Sequence, residues 1–202
     1  ILVDTEEKLS QLEAELGKAE WLSFDTETTD TDPVKAKLVG ISLSVNPEKG
    51  YYIPVGHRSD EKQLLLDTVI KALRPYFENE KIKKVGHNLK YDGMMLAQNG
   101  IQVQPYVFDT MLAAWLVDPG YSGFGLKDLA DKYLNLHMTH IEDLIGSGKS
   151  QLSMADVSIE KVTKYAGADA AVPLALLPYL QDLMDEKNST NVFEKIEMPL
   201  IP

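Results

Sequence analysis

The chain has 202 residues, of which 44% are hydrophobic and 25% charged, a composition typical of a single globular domain. It contains no cysteine, which excludes disulfides and thiolate zinc sites, and no apolar run of the roughly 18 residues that a membrane helix needs. The net charge of −11 argues against a protein that grips duplex nucleic acid through many phosphate contacts. Two interpretations remain open: the chain does not bind nucleic acid, or it binds a few nucleotides through bound metal ions.

The first part of the sequence predicts a helix followed by three antiparallel strands. Three leucines at helical spacing predict an amphipathic helix over residues 4–20, capped by Asp4 or Thr5. Residues 21–27 alternate as a strand does. The tract N-P-E-K-G at 46–50 then predicts a hairpin turn between two further apolar strands.

The second part alternates helices with strands. A helix is predicted over residues 60–75, then a short strand that ends at Gly86, and Asn88 is expected to cap a helix that ends near Gly100. The remaining elements, a strand and three helices, are predicted at residues 105–108, 109–116, 126–133 and 158–187. This order predicts an α/β fold with a mixed sheet of about five strands, three antiparallel and then parallel, flanked by helices.

Four acidic residues stand in three short motifs that could aim carboxylates at one point. They are Asp25 and Glu27 in F-D-T-E-T, Asp92 in N-L-K-Y-D, and Asp169 in Y-A-G-A-D. The first two are two residues apart on a predicted strand, so they project from one face. The other two each lie one helical turn after a polar residue, Asn88 and Tyr165 respectively. Converging carboxylates with no basic partner need divalent cations, and such a site suits two-metal cleavage of phosphodiesters.

Each motif taken alone also has a purely structural explanation. Acids are common at strand ends, Asn88 and Asp92 suit the start of a helix, and a tyrosine on a helix is normally part of the core. The tripeptide F-D-T occurs a second time around Asp109, which is sufficiently explained as the N-cap of a helix and is left out of the site. His137 and His140 are interpreted as surface residues, and no zinc site is predicted.

Together, the order and spacing of the three motifs resemble the tyrosine subclass of the four-carboxylate 3′–5′ exonucleases, which have a ribonuclease H-like fold. The segments K-V-G-H-N-L-K-Y-D, F-D-T-M-L-A-A-W-L and M-P-L-I-P are similar to the proofreading domain of bacterial DNA polymerase I (family A). The resemblance covers nearly the whole chain. The histidine subclass would have His five residues before the last Asp, where Lys164 stands, whereas Tyr165 fits the tyrosine subclass.

The resemblance implies a role for each residue of the catalytic set. Asp25 would bridge two divalent cations, Mg²⁺ or Mn²⁺, with Zn²⁺ as an alternative at the tighter position. Glu27 and Asp169 would complete the ligands of the first ion, and Asp92 would support the second. Tyr165 would orient the water that attacks the terminal phosphodiester.

Four further residues are predicted to bind the substrate. Asn88 is a neutral donor and acceptor for the 3′-terminal nucleotide, and His87 lies beside it in the sequence. Thr31 and Ile141 stand where relatives often carry larger apolar or aromatic side chains. The smaller residues weaken stacking on the terminal bases, which contributes about 1–3 kcal/mol per base.

The resemblance therefore implies a metal-dependent 3′–5′ exonuclease that trims mispaired 3′ ends of DNA. Its expected partners are the single-stranded 3′ end of DNA and a polymerase domain of the same polypeptide. Residues 1–187 would form the exonuclease domain, and residues 188–202 would begin the connection to the polymerase domain. We expect a monomer in the cytoplasm, associated with the nucleoid and not with a membrane. Two alternatives stay open: an RNA-trimming exonuclease of the ribonuclease D kind, and a catalytically silent scaffold packed against a polymerase.

Overall fold

The fold is built around a five-stranded mixed sheet. The computed structural model describes all 202 residues apart from the side chain of residue 149. The strands are β1 (Trp21–Thr28), β2 (Leu38–Asn46), β3 (Lys49–Pro54), β4 (Lys83–Gly86) and β5 (Tyr106–Asp109). They lie in the order β3-β2-β1-β4-β5. The first three pair antiparallel, and β4 pairs parallel with both β1 and β5, so the predicted mixed sheet is confirmed.

Seven α-helices of five residues or more, counted over the described residues, accompany the sheet. They are α1 (Glu6–Leu16), α2 (Leu66–Phe77), α3 (Leu89–Gln98), α4 (Thr110–Val117), α5 (Leu126–Leu134), α6 (Ile141–Ile145) and α7 (Ile159–Glu186). The predicted cap of the first helix is confirmed, because the Thr5 hydroxyl accepts a hydrogen bond from the Lys8 amide. The last three helices of the prediction agree with α4, α5 and α7 within one or two residues.

The helix predicted over residues 60–75 begins only at Leu66, so its predicted start is wrong. The residues before it are held by long-range contacts instead. The Gln63 side chain bonds both the amide and the carbonyl of His57, at 2.9 Å each. The Glu61 carboxylate accepts a 3.1 Å bond from the Ile159 amide at the start of α7. Tertiary contacts therefore override the local helical pattern.

Alternation along the strands gives the sheet two differently covered faces. On β3, Tyr51 and Ile53 join the large core that contains the leucines of α1 and the apolar side of α2. Tyr52, between them, joins a smaller cluster with Val162 and Ala166 of α7. Side chains that pair across neighbouring strands lie on the same face of the sheet. Asp25 of β1 pairs with Ser42 of β2, which in turn pairs with Tyr52 of β3. Asp25 therefore lies on the face that α7 covers.

Small residues allow α7 to approach the sheet closely. A Cβ atom on Gly50 of β3 would lie 1.9 Å from the Gly167 carbonyl oxygen, whereas a Cβ on Gly167 would meet Gly50 at an ordinary 3.5 Å. The A-G-A segment of α7 therefore packs on the sheet, and the required glycine is the one on the strand. This contact brings α7 close to β3.

The segment after α7 forms short helical turns over residues 190–200 and packs on the same core. Phe193, Met198 and Ile201 are buried, and the Phe193 ring centroid is 5.0 Å from that of Phe108. Over the part of the chain that the structure describes, no helix is both long enough and apolar enough to cross a membrane.

Candidate active site

Three carboxylates converge between β1 and α7. One oxygen each from Asp25, Glu27 and Asp169 lies within 4.8 Å of the others. The first two project from one face of β1, as predicted, and the third comes from the helix that covers this face. Glu27 and Asp169 are 6% and 7% exposed, so little solvent screens the three negative charges.

This burial makes the ionised cluster unfavourable. Burial raises the pKa of the Asp25 carboxyl well above its usual range, and the neighbouring carboxylates raise it further. Burial, followed by the charge of Asp169, raises the pKa of Glu27 to about 8. At neutral pH the cluster therefore either keeps protons or binds positive charge.

Asp92 contributes a fourth carboxylate from the first turn of α3. Its Oδ1 accepts bonds from the Thr26 amide at 2.9 Å and from the Thr26 hydroxyl at 2.6 Å, which ties α3 to β1. Burial raises the pKa of Asp92 to about 7, although both Thr26 donors lower it. Asp92 thus borders the three-carboxylate cluster from a separately fixed position.

The start of α3 is capped by a residue from another element. Asn88 occupies the N-cap position, as predicted, with the left-handed angles φ 61° and ψ 48°. The capping oxygens belong to Asp109, which accepts bonds from the Leu89 amide at 2.8 Å and the Asn88 amide at 3.3 Å. Asp109 also accepts from the Met111 and Leu112 amides, which confirms it as the N-cap of α4. The Asn88 side chain is exposed and makes no capping bond of its own.

A cleft of about 600 Å³ brings together all of the residues that the motifs and the resemblance single out. Its lining includes the predicted catalytic and substrate-binding residues Asp25, Glu27, Thr31, His87, Asn88, Asp92, Ile141, Tyr165 and Asp169. Ile141 is 37% exposed at the start of α6. His87 Nδ1 lies 2.9 Å from the Thr110 hydroxyl, and burial lowers the pKa of this imidazole to about 4, so it is neutral at pH 7. His137 and His140 are exposed, as predicted.

The expectation that the carboxylates lack a basic partner is wrong. Lys127, in the first turn of α5, donates from Nζ to Asp169 Oδ1, and the same nitrogen lies 4.4 Å from the centroid of the Tyr165 ring. A lysine is unusual at a helix N-terminus, where the macrodipole favours acids. The helix itself therefore does not account for this lysine, and its partner lies 42 positions away on α7.

Sequence reasoning also missed the contacts that hold the walls of the cleft. On one side the Tyr91 hydroxyl donates to the Asp30 carbonyl and lies 2.6 Å from the Thr28 hydroxyl, which fixes the loop that carries Thr31. Another part of the lining comes from residues 151–154. It is anchored nearby through His57, whose Nδ1 is 3.0 Å from the Val157 carbonyl oxygen. These partners are far apart in the sequence, and no local pattern marks them.

The donor set fits a divalent cation that prefers oxygen ligands. Three carboxylates offer oxygens only, from positions close enough to share one ion, and a fourth borders them. Mg²⁺ and Mn²⁺ favour this kind of site over thiolate or imidazole sites. The raised pKa values of Asp25 and Glu27 are the expected signature of carboxylates that face one another without such an ion.

The chain matches a family model described as 3′–5′ exonuclease over residues 1–185. It is 42% identical over 196 residues to DNA polymerase I of Chloroflexus aurantiacus. The aligned region covers 96% of this chain and 20% of that protein. The chain therefore spans about a fifth of the length of this curated relative.

Solved structures share the architecture. A structure of Pol1 from M. smegmatis, in complex with DNA primer-template and dNTP, aligns with a TM-score of 0.75 at 19% identity, over 100% of this chain and 30% of that one. Escherichia coli RNase D, an exoribonuclease involved in structured RNA processing, aligns with a TM-score of 0.73 at 17% identity, over 100% and 49%. These structural similarities confirm the ribonuclease H-like fold. The family match and the sequence identity to DNA polymerase I also establish the family. The chain belongs to the 3′–5′ exonuclease family and is related to the exonuclease region of bacterial DNA polymerase I.

Proposed function

We propose that this domain is a metal-dependent 3′–5′ exonuclease of the tyrosine subclass that removes mispaired nucleotides from the 3′ end of DNA as nucleoside monophosphates. The observation that carries the proposal is the convergence of Asp25, Glu27 and Asp169 in a cleft that Asp92 and Tyr165 also line. The sequence relationship to DNA polymerase I supports DNA as the substrate and proofreading as the task.

The carboxylates are the proposed metal ligands. Asp25 is central, Glu27 and Asp169 complete the set for one ion, and Asp92 supports a second. When bound, divalent cations would neutralise the carboxylates, acidify the attacking water and stabilise the departing 3′ oxygen. Mg²⁺ or Mn²⁺ fits the oxygen-only donors, with Zn²⁺ as an alternative at the three-carboxylate position.

Tyr165 is proposed to orient the attacking water. Burial and the neighbouring carboxylates raise the pKa of its phenol above the usual range, so the hydroxyl keeps its proton at working pH. A protonated phenol acts as a hydrogen-bond donor and acceptor that holds the water, and not as the base that ionises it. Attack in line with the bond to the 3′ oxygen then releases the terminal nucleotide.

The cleft residues account for selection of a frayed 3′ end. Asn88 and neutral His87 offer hydrogen bonds to a terminal nucleotide, while Thr31 and Ile141 supply the walls. None of these four carries a positive charge at pH 7, consistent with binding a few unpaired nucleotides and with the acidic composition of the chain. Such a site selects an end that leaves the duplex readily, which is the property of a mispaired terminus.

The domain is proposed to work within a longer polypeptide. Residues 1–187 would be the exonuclease unit, and residues 188–202 would lead toward a polymerase domain that binds the duplex. The relatives support this because they are several times longer than the chain. We place the protein in the cytoplasm, at the nucleoid, as a monomer.

The test is digestion of 5′-labelled single-stranded DNA, and of RNA of the same sequence, with Mg²⁺ or with EDTA. Asp25→Ala removes the central ligand, and Asp182→Ala changes an exposed acid on α7 as the matched control. We expect a ladder on DNA from the parent and the control with Mg²⁺, and intact DNA from Asp25→Ala or with EDTA. Faster digestion of RNA would favour the ribonuclease D alternative. Intact DNA from the parent under every condition would favour the silent scaffold.

A further inference from the structure

Lys127 brings a positive charge into the carboxylate cluster. Its ammonium donates to Asp169 Oδ1, and the Lys127 side chain is 16% exposed against 9% for the side chain of Asp169. The ammonium also lies over the Tyr165 ring, 4.4 Å from the centroid. The field of this charge lowers the pKa of Asp25, Glu27 and Asp169 against the larger effect of burial. One lysine thus acts on all three proposed ligands.

The position of Lys127 is unfavourable in its own helix. It is the second residue of α5, after the cap Gly125, where the unpaired amides give the helix end a partial positive charge. A long side chain also loses rotamer freedom when it is held between a carboxylate and a ring. The interactions that offset these costs are made with Asp169 and Tyr165 of α7. The position of Lys127 is therefore explained by the carboxylate site and not by its own helix.

Lys132 on the same helix shows what an ordinary lysine does. It pairs with Asp118 at 3.1 Å, its side chain is 29% exposed, and its ammonium lies 3.7 Å from the centroid of the Tyr121 ring. The two lysines therefore have the same kinds of partner, an aspartate and a tyrosine ring. Only the partners of Lys127 belong to the proposed metal site.

We propose that Lys127 is the exchangeable counter-cation of the metal-free site: it neutralises Asp169 until a divalent ion binds, and the ion displaces it. This inference rests on the proposed function, because it takes Asp169 as a metal ligand. The Asp169 oxygen that accepts the ammonium is then the one an ion must share or take over, and two cations at one carboxylate repel each other. Lys127 therefore lowers the affinity for the ion and keeps the empty site folded. It is a positioning residue that acts through Asp169.

The test measures metal binding directly by isothermal titration calorimetry with Mn²⁺. The proteins are the parent, Lys127→Met, the charge-preserving Lys127→Arg, and Lys132→Met as the matched control. Loss of the competing charge is expected to tighten Mn²⁺ binding to Lys127→Met by about tenfold, because it removes one repulsive cation. Lys127→Arg and Lys132→Met are expected to bind Mn²⁺ as the parent does.

Thermal unfolding supplies the second readout. With EDTA, Lys127→Met is expected to unfold at a lower temperature than the parent, and saturating Mn²⁺ is expected to remove the difference. Equal Mn²⁺ affinities of parent and Lys127→Met would overturn this inference alone. An equal loss of stability with and without Mn²⁺ would also overturn it and assign Lys127 a structural role. A parent that binds no Mn²⁺ would overturn the proposed function itself.

Discussion

The tripeptide Phe-Asp-Thr stands near the end of β1, at Phe24–Thr26, and again across the end of β5, at Phe108–Thr110. Each phenylalanine is buried against a second phenylalanine ring, with centroids 5.1 Å apart in the first copy and 5.0 Å apart in the second. Each threonine hydroxyl donates a hydrogen bond that ties its strand to a neighbouring segment. The two copies are therefore held in similar ways and differ in what surrounds the aspartate.

Asp109 faces four backbone amides from the starts of α3 and α4, whereas Asp25 faces other carboxylates. Burial raises the pKa of both, but the amides counteract the rise for Asp109 and the acids add to it for Asp25. A half-buried or buried aspartate is thus a structural anion where the fold supplies donors, and a candidate metal ligand where it supplies more acids. Single substitutions test this difference between the two aspartates.

The largest expected effect is that of Asp25→Asn on activity. Removing one charge from the central proposed ligand should lower kcat on single-stranded DNA about 10³-fold, which corresponds to roughly 4 kcal/mol of barrier. Its stability in EDTA should equal or exceed that of the parent, because a repulsive charge is gone. Single-turnover digestion with Mg²⁺ measures the first effect and urea unfolding the second. Activity within tenfold of the parent would contradict the assignment of Asp25.

Asp109→Asn should lower the stability of the domain and leave its activity unchanged. An amide can accept fewer of the four backbone bonds and carries no charge for two helix ends, so the free energy of unfolding should fall by about 2–4 kcal/mol. The folded fraction should retain parental activity. Urea denaturation of both aspartate variants under one set of conditions measures the contrast, and equal unfolding midpoints would contradict it.

The acids around Asp25 predict how stability changes with pH when no metal is bound. The pKa of Glu27 is about 8 in the fold against 4.5 as its ordinary value, so the folded state retains a proton that the unfolded chain releases. Its contribution is fully present below about pH 4.5 and is lost as the pH rises toward 8. His87, whose pKa of about 4 in the fold lies below its ordinary value of 6.5, contributes the opposite change up to about pH 6.5. Between about pH 6.5 and pH 8 in EDTA we therefore expect the melting temperature to fall, by about 2–4 °C per kcal/mol lost.

Two further measurements isolate that effect. Saturating Mn²⁺ should reduce the fall, and Glu27→Gln should flatten it in EDTA, while Glu194→Gln, at an exposed position, should leave it unchanged. A parental melting temperature that rises between pH 6.5 and pH 8 in EDTA, above the range in which His87 contributes, would show that the cluster is not protonated in the fold. The acids would then need another source of compensation.

The smallest expected effect distinguishes the two threonines. Thr26→Val removes the hydroxyl donor to Asp92 but keeps the amide donor, so kcat should fall about fivefold to tenfold, the value of a bond of about 1 kcal/mol. Thr110→Val leaves the buried Gly86 carbonyl without that donor and should cost about 1–2 kcal/mol of stability. Steady-state kinetics and urea unfolding of both variants check this, and identical profiles would contradict it.

The sequence by itself determined the features that depend on local periodicity and backbone capping. The leucines of α1 with a cap at Asp4 or Thr5, the hairpin between β2 and β3, and Asp109 as the cap of α4 all follow from residues a few positions apart. The i, i+4 and i, i+2 spacings also placed the acids on the correct faces of their own elements. Their chain order was enough to resemble a known family.

Tertiary structure decided whatever depends on partners distant in the sequence. In the folded chain α2 begins at Leu66 and not at residue 60, and the start of α3 is capped by Asp109. Lys127 contacts Asp169, which lies 42 positions further along the chain. Each of these contacts satisfies a buried charge or an unpaired amide, and the nearest suitable partner in space lies on another element. Local patterns carry no record of such partners, so the sequence identified the acids and the fold supplied their counter-charge.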